Sequence, residues 1–124
     1  MREPRAGLEW SPKRAAIRRD YGSYMSSAAW YQRRRRWLAE YREATGREPV
    51  CIVCEGKWRL SHDDLHHRSY RRLGHESFGD LAPMCRLCHT RLHVLLDRNS
   101  EWKHFRHEQA TDFLVAFMRR ERKT

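Results

Sequence analysis

The sequence has no long apolar run, and no stretch approaches the roughly 20 residues that a membrane-spanning helix requires. The first residues carry charges with no apolar segment behind them, so we expect neither a secretory signal nor a membrane partner. The mean hydropathy of -0.98 confines the apolar residues to a few segments. We therefore expect a cytoplasmic protein, in which thiols stay reduced and bind metal more readily than they form disulfides.

Acidic residues are also scarce, at 16 against 26 lysines and arginines, which leaves a formal net charge of +10. A surplus this large in a small domain indicates a polyanionic partner, and nucleic acid is the usual one. Charge alone leaves plain solubility, or attraction to an acidic protein or membrane surface, as alternatives. The 124 residues can bury only a modest core, so a bound metal would supply part of the stability.

Only four cysteines are present, and they form two C-x-x-C pairs, Cys51 with Cys54 and Cys85 with Cys88. Each pair favours a tight turn with both thiolates on one side, and two such pairs complete a tetrahedron around zinc. A site with four sulfur ligands is closed to substrate and is therefore structural. Four buried cysteines or a redox pair are the alternatives.

Four of the eight histidines cluster around these cysteines. His66 and His67 are neighbours in a predicted strand, where successive side chains point to opposite faces. His89 and His93 are four residues apart on a predicted helix and share a face. If His66 turns toward His89 and His93, three imidazoles are available to a metal and His67 stands apart as a base. The other four are expected to be ordinary polar residues: His62, His75, His104 and His107.

Helical patterns flank this segment on both sides. Ser26 or Ser27 caps a predicted helix from about Ala28 to Thr45, which Gly46 ends. Within its arginine run, the helical angle puts Arg34 on the side of the tryptophans, where it can stack on their rings.

Two further helices are predicted, from about Arg86 to Leu96 and from Ser100 or Glu101 onward, with a frayed basic tail from Arg119. An apolar stripe on the last helix is expected to pack into the core, with a partner-binding helix as the alternative. Its members are Ala110, Phe113, Leu114, Phe117 and Met118.

The residues that carry chemistry form one pattern: Asp64-Leu65-His66-His67, Gly79-Asp80-Leu81 and Cys85-x-x-Cys88-His89-x-x-x-His93. This pattern resembles the zinc-knuckle type of the HNH endonuclease family from residue 51 to about 96, and the arginine-rich lead-in resembles small phage-type and bacterial members. The resemblance implies an α+β fold with a ββα-metal (His-Me finger) core and a four-cysteine zinc knuckle. It divides the chain into a basic helical lead-in at 1–48, the core at 49–97, and an amphipathic helix with a basic tail at 98–124.

The resemblance also implies a role for each site residue. His67 is the general base, and the catalytic divalent metal (Mg²⁺, Mn²⁺, Ni²⁺ or Zn²⁺) is bound by His66, His89 and His93. Asp80 takes the place of the asparagine that orients the base. The implied activity is DNA hydrolysis that leaves 5′-phosphate and 3′-hydroxyl ends, in a bacterial or phage-infected cell. Because the sequence shows one active site and no helix-turn-helix or other base-reading motif, we expect nicking with low sequence specificity.

Four arginines are candidates for contacts with DNA phosphates: Arg35, Arg36, Arg71 and Arg72. Cutting of both strands would require a homodimer or a larger DNA-processing partner. The alternative function is a catalytically inactive, zinc-stabilised nucleic-acid-binding module, which the aspartate at position 80 and the high charge favour. A third reading is an interaction protein that docks through Phe113 and Phe117.

Overall fold

The structure, a computed structural model, describes residues 21–98 and 106–123. Residues 21–25 are helical, and a 3-10 turn covers Phe78–Asp80. The other elements, in chain order, are helix α1 (Ala28–Thr45), strand β1 (Asp64–His67), strand β2 (Leu81–Met84), helix α2 (Arg86–Arg98) and helix α3 (His107–Arg122). The predicted α+β class is confirmed, with one antiparallel two-stranded sheet among the described residues.

Helix α1 begins and ends where its local sequence predicts. The hydroxyl of Ser27 accepts a hydrogen bond from the Trp30 N–H at 3.1 Å, which satisfies one of the unpaired donors of the first turn. Gly46 ends the helix in the left-handed conformation (φ 68°), and its N–H donates to the Arg42 carbonyl at 2.8 Å. Both signals are local, so the sequence predicted the ends of the helix, and the structure assigns the cap that the sequence had left open between Ser26 and Ser27 to Ser27.

The two strands lie between two separate cores. His67 pairs with Leu81 and Asp64 with Met84, so the pleat puts Leu65 and His67 on one face and Asp64 and His66 on the other. On the first face, α1 contributes to an aromatic core of Trp30, Trp37, Trp58, Leu65 and Leu81. On the second face, α2 and α3 build a core with the first cysteine pair, made of Cys51, Val53, Met84, Leu92, Ala110, Leu114 and Met118.

The arginine run of α1 is partly structural. The Arg34 guanidinium lies 5.9 Å from the ring centre of Trp58, whereas the sequence predicted stacking on the tryptophans of its own helix. The sequence did not single out Arg33, which is only 3% exposed and donates from Nε to the Glu76 carbonyl at 3.0 Å. Arg35 and Arg36 are exposed, as predicted.

Helix α3 corrects two expectations about the C-terminal segment. Ala110, Leu114 and Met118 are buried, but Phe113 is 55% and Phe117 is 37% exposed, so the core takes only part of the predicted stripe. The reason is that the buried face is centred on positions i, i+4 and i+8 and continues through Thr111 instead of the phenylalanines. The helix also continues to Arg122 and does not fray from Arg119. Its predicted start at residue 100 or 101 lies outside the described residues.

No helix of the described chain is both long and apolar enough to cross a membrane.

We expect Ser27→Ala to lower the free energy of unfolding by about 1 kcal/mol, because the cap of α1 is removed. Urea unfolding of the zinc-loaded protein measures the change. Ser26→Ala is the matched control, since the Ser26 hydroxyl is exposed and, within the part of the chain that the structure describes, donates to the Gly22 and Ser23 carbonyls instead of capping α1. Equal destabilisation by both variants would contradict the assignment of the cap to Ser27.

Candidate metal centres

The four cysteines converge at one point, and all four are free thiols. Their sulfur atoms lie within 4.8 Å of one another, and Cys54 Sγ is 3.9 Å from Cys85 Sγ. A tetrahedron with zinc–sulfur bonds of 2.3 Å has edges of about 3.8 Å. The cluster therefore has the size and the ligand set to hold zinc.

The backbone around the first pair is shaped for sulfur ligands. Glu55 adopts a left-handed conformation (φ 62°), which turns the chain sharply after Cys54. A Cβ at Gly56 would lie 3.2 Å from Cys54 Sγ, so glycine allows the close approach there. The Gly56 N–H donates to Cys54 Sγ and the Val53 N–H to Cys51 Sγ, both at 3.4 Å. Burial would raise the pKa of the Cys51 thiol, but hydrogen bonds from the backbone N–H groups of Cys54, Cys85 and Val53 lower it, which favours the thiolate that binds zinc.

Three histidines converge at a second point, on the second face of the sheet. His66 Nδ1 lies 3.2 Å from His89 Nε2, and His93 Nε2 lies 3.0 Å from the same atom. One nitrogen of each ring falls within 4.8 Å of the other two. Tetrahedral zinc–nitrogen bonds of 2.0–2.1 Å would separate the nitrogens by about 3.4 Å. The group therefore fits a divalent metal ion.

Outer partners fix the orientation of two of these rings. His89 Nδ1 is 2.9 Å from Asp64 Oδ2, and an N–H there donates to the carboxylate and leaves the Nε2 lone pair facing the group. His66 Nε2 is 3.0 Å from the Thr111 hydroxyl, which leaves His66 Nδ1 for the metal. Sequence reasoning includes Asp64 in the motif but gives it no role, although it precedes His66 by two residues in a strand and so shares its face. Thr111 carries no such signal, because 45 positions separate it from His66.

The protonation of the rings suits metal binding. Burial, and then the neighbouring imidazoles of His107, His89 and His93, hold the pKa of His66 well below its ordinary value. Burial and then His89 lower the pKa of His93. Neutral imidazole is the form that binds metal, so these rings are ready to act as ligands at neutral pH.

His67 leaves the strand on the opposite face from His66, as expected, and is buried there with 2% of its surface exposed. Its ring stacks on Trp30 with ring centres 4.8 Å apart, and its Nε2 lies 2.8 Å from Glu76 Oε2. The second Glu76 oxygen accepts from the Tyr24 hydroxyl at 2.8 Å. His67 Nδ1 is buried, and the described residues offer it no hydrogen-bond partner. With Nε2–H donating to Glu76, the Nδ1 lone pair is the free one.

The hydrogen bond to His67 that we expected from Asp80 is made by Glu76 instead. Asp80 accepts from Arg72 Nε at 2.8 Å and from the Ser77 N–H at 2.9 Å, so its carboxylate holds the loop before β2. Burial would raise the pKa of Glu76, but the hydrogen bonds from His67 and Tyr24 lower it, and the carboxylate stays ionised. Glu76 belongs to no motif and lies in a charged loop, where nothing in the sequence marks it.

Two other predictions change with these contacts. Arg72 is exposed but paired with Asp80, whereas Arg71 is exposed without a side-chain role in this network. His107 is more than an ordinary polar residue, because its Nε2–H donates to the His67 carbonyl at 2.8 Å and its ring lies 5.2 Å from that of His66. Burial lowers the pKa of His107 to about 4. His62 and His75 are exposed, as expected, and His104 lies outside the described residues.

No family model, curated protein or solved structure matches this chain. The interpretation of the two centres therefore depends on the arrangement of the chain's own residues.

We expect Cys54→Ser to weaken zinc binding at least tenfold, because a hydroxyl replaces one of four thiolates. Competition with a chelating dye measures the affinity. Substitution by cobalt adds a spectroscopic test, since thiolate-to-cobalt charge-transfer absorption should fall in Cys54→Ser and persist in His89→Ala. Unchanged zinc affinity and unchanged absorption in Cys54→Ser would show that the four sulfurs do not share one ion.

Proposed function

We propose that this chain is a metal-dependent endonuclease of the HNH type that hydrolyses DNA phosphodiester bonds, acting in a reducing, cytoplasmic environment. The observation that carries the proposal is the convergence of three imidazole nitrogens, next in sequence to a fourth histidine, His67, whose Nδ1 has no hydrogen-bond partner among the described residues. The order of elements supports it: strand, strand and helix follow one another as β1, β2 and α2, and the ligands come from the first strand and the helix.

The chemistry assigned to the chain follows from these contacts. A divalent ion bound by His66, His89 and His93 would neutralise charge on the phosphate and on the leaving 3′ oxygen. His67 Nδ1 takes the proton of the attacking water, because it carries the free lone pair. The Glu76 carboxylate then stabilises the imidazolium through the proton that Nε2 already donates to it. The expected products keep the phosphate on the 5′ end.

The burial of His67 sets a condition on this mechanism. Trp30 stacks on one side of the ring, and the side chain is closed to solvent, so water does not reach Nδ1 in this conformation. The reaction therefore requires substrate or metal binding to open a path between the ring and its aromatic neighbours. The same burial favours the second candidate, a metal-stabilised nucleic-acid-binding module in which His67 is only a packed core residue.

We expect the protein to nick supercoiled plasmid with at least one of magnesium, manganese, nickel and zinc. His67→Ala should slow nicking by about 10²–10⁴-fold, the range typical of removing a general base. His89→Ala should also abolish it while the four-sulfur zinc is retained. His62→Ala is the matched control, since His62 is exposed and its ring is hydrogen-bonded to the neighbouring Ser61 hydroxyl, away from both metal centres.

The outcomes separate the two candidates. DNA binding without nicking in any of the four metals would leave the binding module as the function. Nicking that depends on His89 but is unchanged in His67→Ala would keep the metal centre and remove His67 as the base.

We expect Glu76→Gln to slow nicking by about 10–100-fold, as removal of a histidine's outer partner does at metal sites. An amide can still hydrogen-bond but cannot neutralise the imidazolium. Glu40→Gln is the control with the same charge change, because the Glu40 carboxylate pairs with Arg33 at 2.9 Å, whereas the Glu76 carboxylate is hydrogen-bonded to His67. Equal rates for Glu76→Gln and the parent would remove Glu76 from the mechanism.

A further inference from the structure

A shallow groove of about 390 Å³ runs along α3 beside the first cysteine pair. It lies on the same side of the sheet as the imidazole group, whereas α1 packs against the other side. The residues that line it include Ile52, Arg68, Thr111, Asp112, Arg119 and Lys123.

The groove is strongly basic. Arg68, Arg119, Arg120 and Lys123 line it together with a single acidic residue, Asp112. Arg119 and Arg120 of α3, and Lys123 just after its end, are exposed, so their charged ends are available to a ligand. Such a concentration of positive charge in a concave surface attracts a polyanion.

The lining residues of α3 form a row along the helix. Asp112, Val115 or Ala116, Arg119 and Lys123 recur every three or four residues and therefore share one face. At 1.5 Å per residue, the row from 112 to 123 is about 16 Å long. With one phosphate per 3.4 Å of rise on each strand, this length matches about five nucleotides.

One residue connects the groove to the imidazole group. Thr111 lines the groove, and its hydroxyl lies 3.0 Å from His66 Nε2, on the edge of the ring that faces away from His89. The His66 ring therefore separates the wall of the groove from the point where the three nitrogens converge. A strand lying in the groove would pass one imidazole ring away from a bound metal.

Asp112 holds the first cation of the groove in place. Arg68 Nη2 donates to both Asp112 carboxylate oxygens at 2.9 Å, and Arg68 Nη1 donates to the Gly79 carbonyl at 3.0 Å. This pair fixes the guanidinium at the end of β1, but the carboxylate also competes with any anion for it. Removal of the Asp112 charge should therefore strengthen anion binding in the groove.

We propose that this groove binds the sugar–phosphate backbone of a nucleic-acid strand and guides it to the imidazole centre. The inference rests on the proposed function, whose substrate it places on the surface. It moves the main phosphate contacts from Arg35 and Arg36, which lie on α1, to the basic end of α3.

The test is fluorescence anisotropy of a labelled 20-base-pair DNA duplex, and of the single-stranded DNA and RNA of the same sequence, with zinc-loaded protein and no other divalent metal. We expect Arg119→Glu combined with Arg120→Glu to weaken binding at least tenfold. The slope of duplex affinity against salt concentration, on logarithmic axes, should flatten by about 0.9 for each phosphate that the variant no longer neutralises. Asp112→Asn should bind several-fold more tightly than the parent. Arg35→Glu combined with Arg36→Glu is the control with the same charge change, and it should stay within threefold.

The results decide whether nucleic acid binds at the α3 groove or at the Arg35 and Arg36 surface of α1. The proposal that the groove binds nucleic acid would be wrong if Arg119→Glu with Arg120→Glu left the affinity unchanged. It would also be wrong if Arg35→Glu with Arg36→Glu lowered the affinity more. Asp112→Asn distinguishes the proposal from misfolding. If the Arg68–Asp112 ion pair were only structural, its loss would weaken DNA binding, whereas binding in the groove predicts that the affinity increases. Failure of the parent protein to bind any of the three nucleic acids would exclude both the groove as a binding site and the proposed function. Groove-dependent binding without nicking would remove only the nuclease.

Discussion

Successive side chains of a strand leave it on opposite faces, and in β1 this alternation sends His66 into one core and His67 into the other. Every other feature of the site follows from that division. His66 meets the two histidines of α2 and the hydroxyl of Thr111, while His67 meets Trp30 and Glu76. A shift of register by one residue would exchange the two rings and destroy both environments. The four-residue strand is therefore the element on which the arrangement depends.

So short a sheet needs support from outside its own ladder. The first cysteine pair supplies part of it, because the Ile52 N–H donates to the Pro83 carbonyl at 2.9 Å and so joins the turn between Cys51 and Cys54 to β2. The second pair flanks the first turn of α2, so an ion held by four sulfurs would fix α2 and β2 to the segment around residue 51. A small domain with two modest cores gains from such a link, since binding of structural zinc contributes directly to folding.

The parts of this molecule that could be predicted from sequence are those set by neighbours in the chain. Ser27 and Gly46 define α1 through contacts three and four residues away, and the cysteine and histidine spacings predict which side chains converge. Glu76, Thr111 and Arg33 could not be predicted, because each acquires its role from a partner on another element.

The periodicity of α3 predicted an apolar stripe but not its buried width. Packing partners decide that width, and here Thr111 is buried where Phe113 and Phe117 are not. The same helix shows why charge alone was a poor guide to the basic surface. Arg119 and Lys123 look like part of a loose tail in the sequence, and only the continuation of the helix to Arg122 aligns them with Arg68.

Arg33 has a mechanical consequence for the His67 environment. From α1 it holds the Glu76 carbonyl, and Tyr24, just before the same helix, holds the Glu76 carboxylate. Trp30, which covers the His67 ring, belongs to α1 as well. Trp30, which covers the His67 ring, and Arg33 and Tyr24, which hold Glu76, are therefore expected to move together. A displacement of α1 that admits water to the imidazole would also pull on Glu76, so the access of water to His67 and its hydrogen bond to Glu76 cannot change independently.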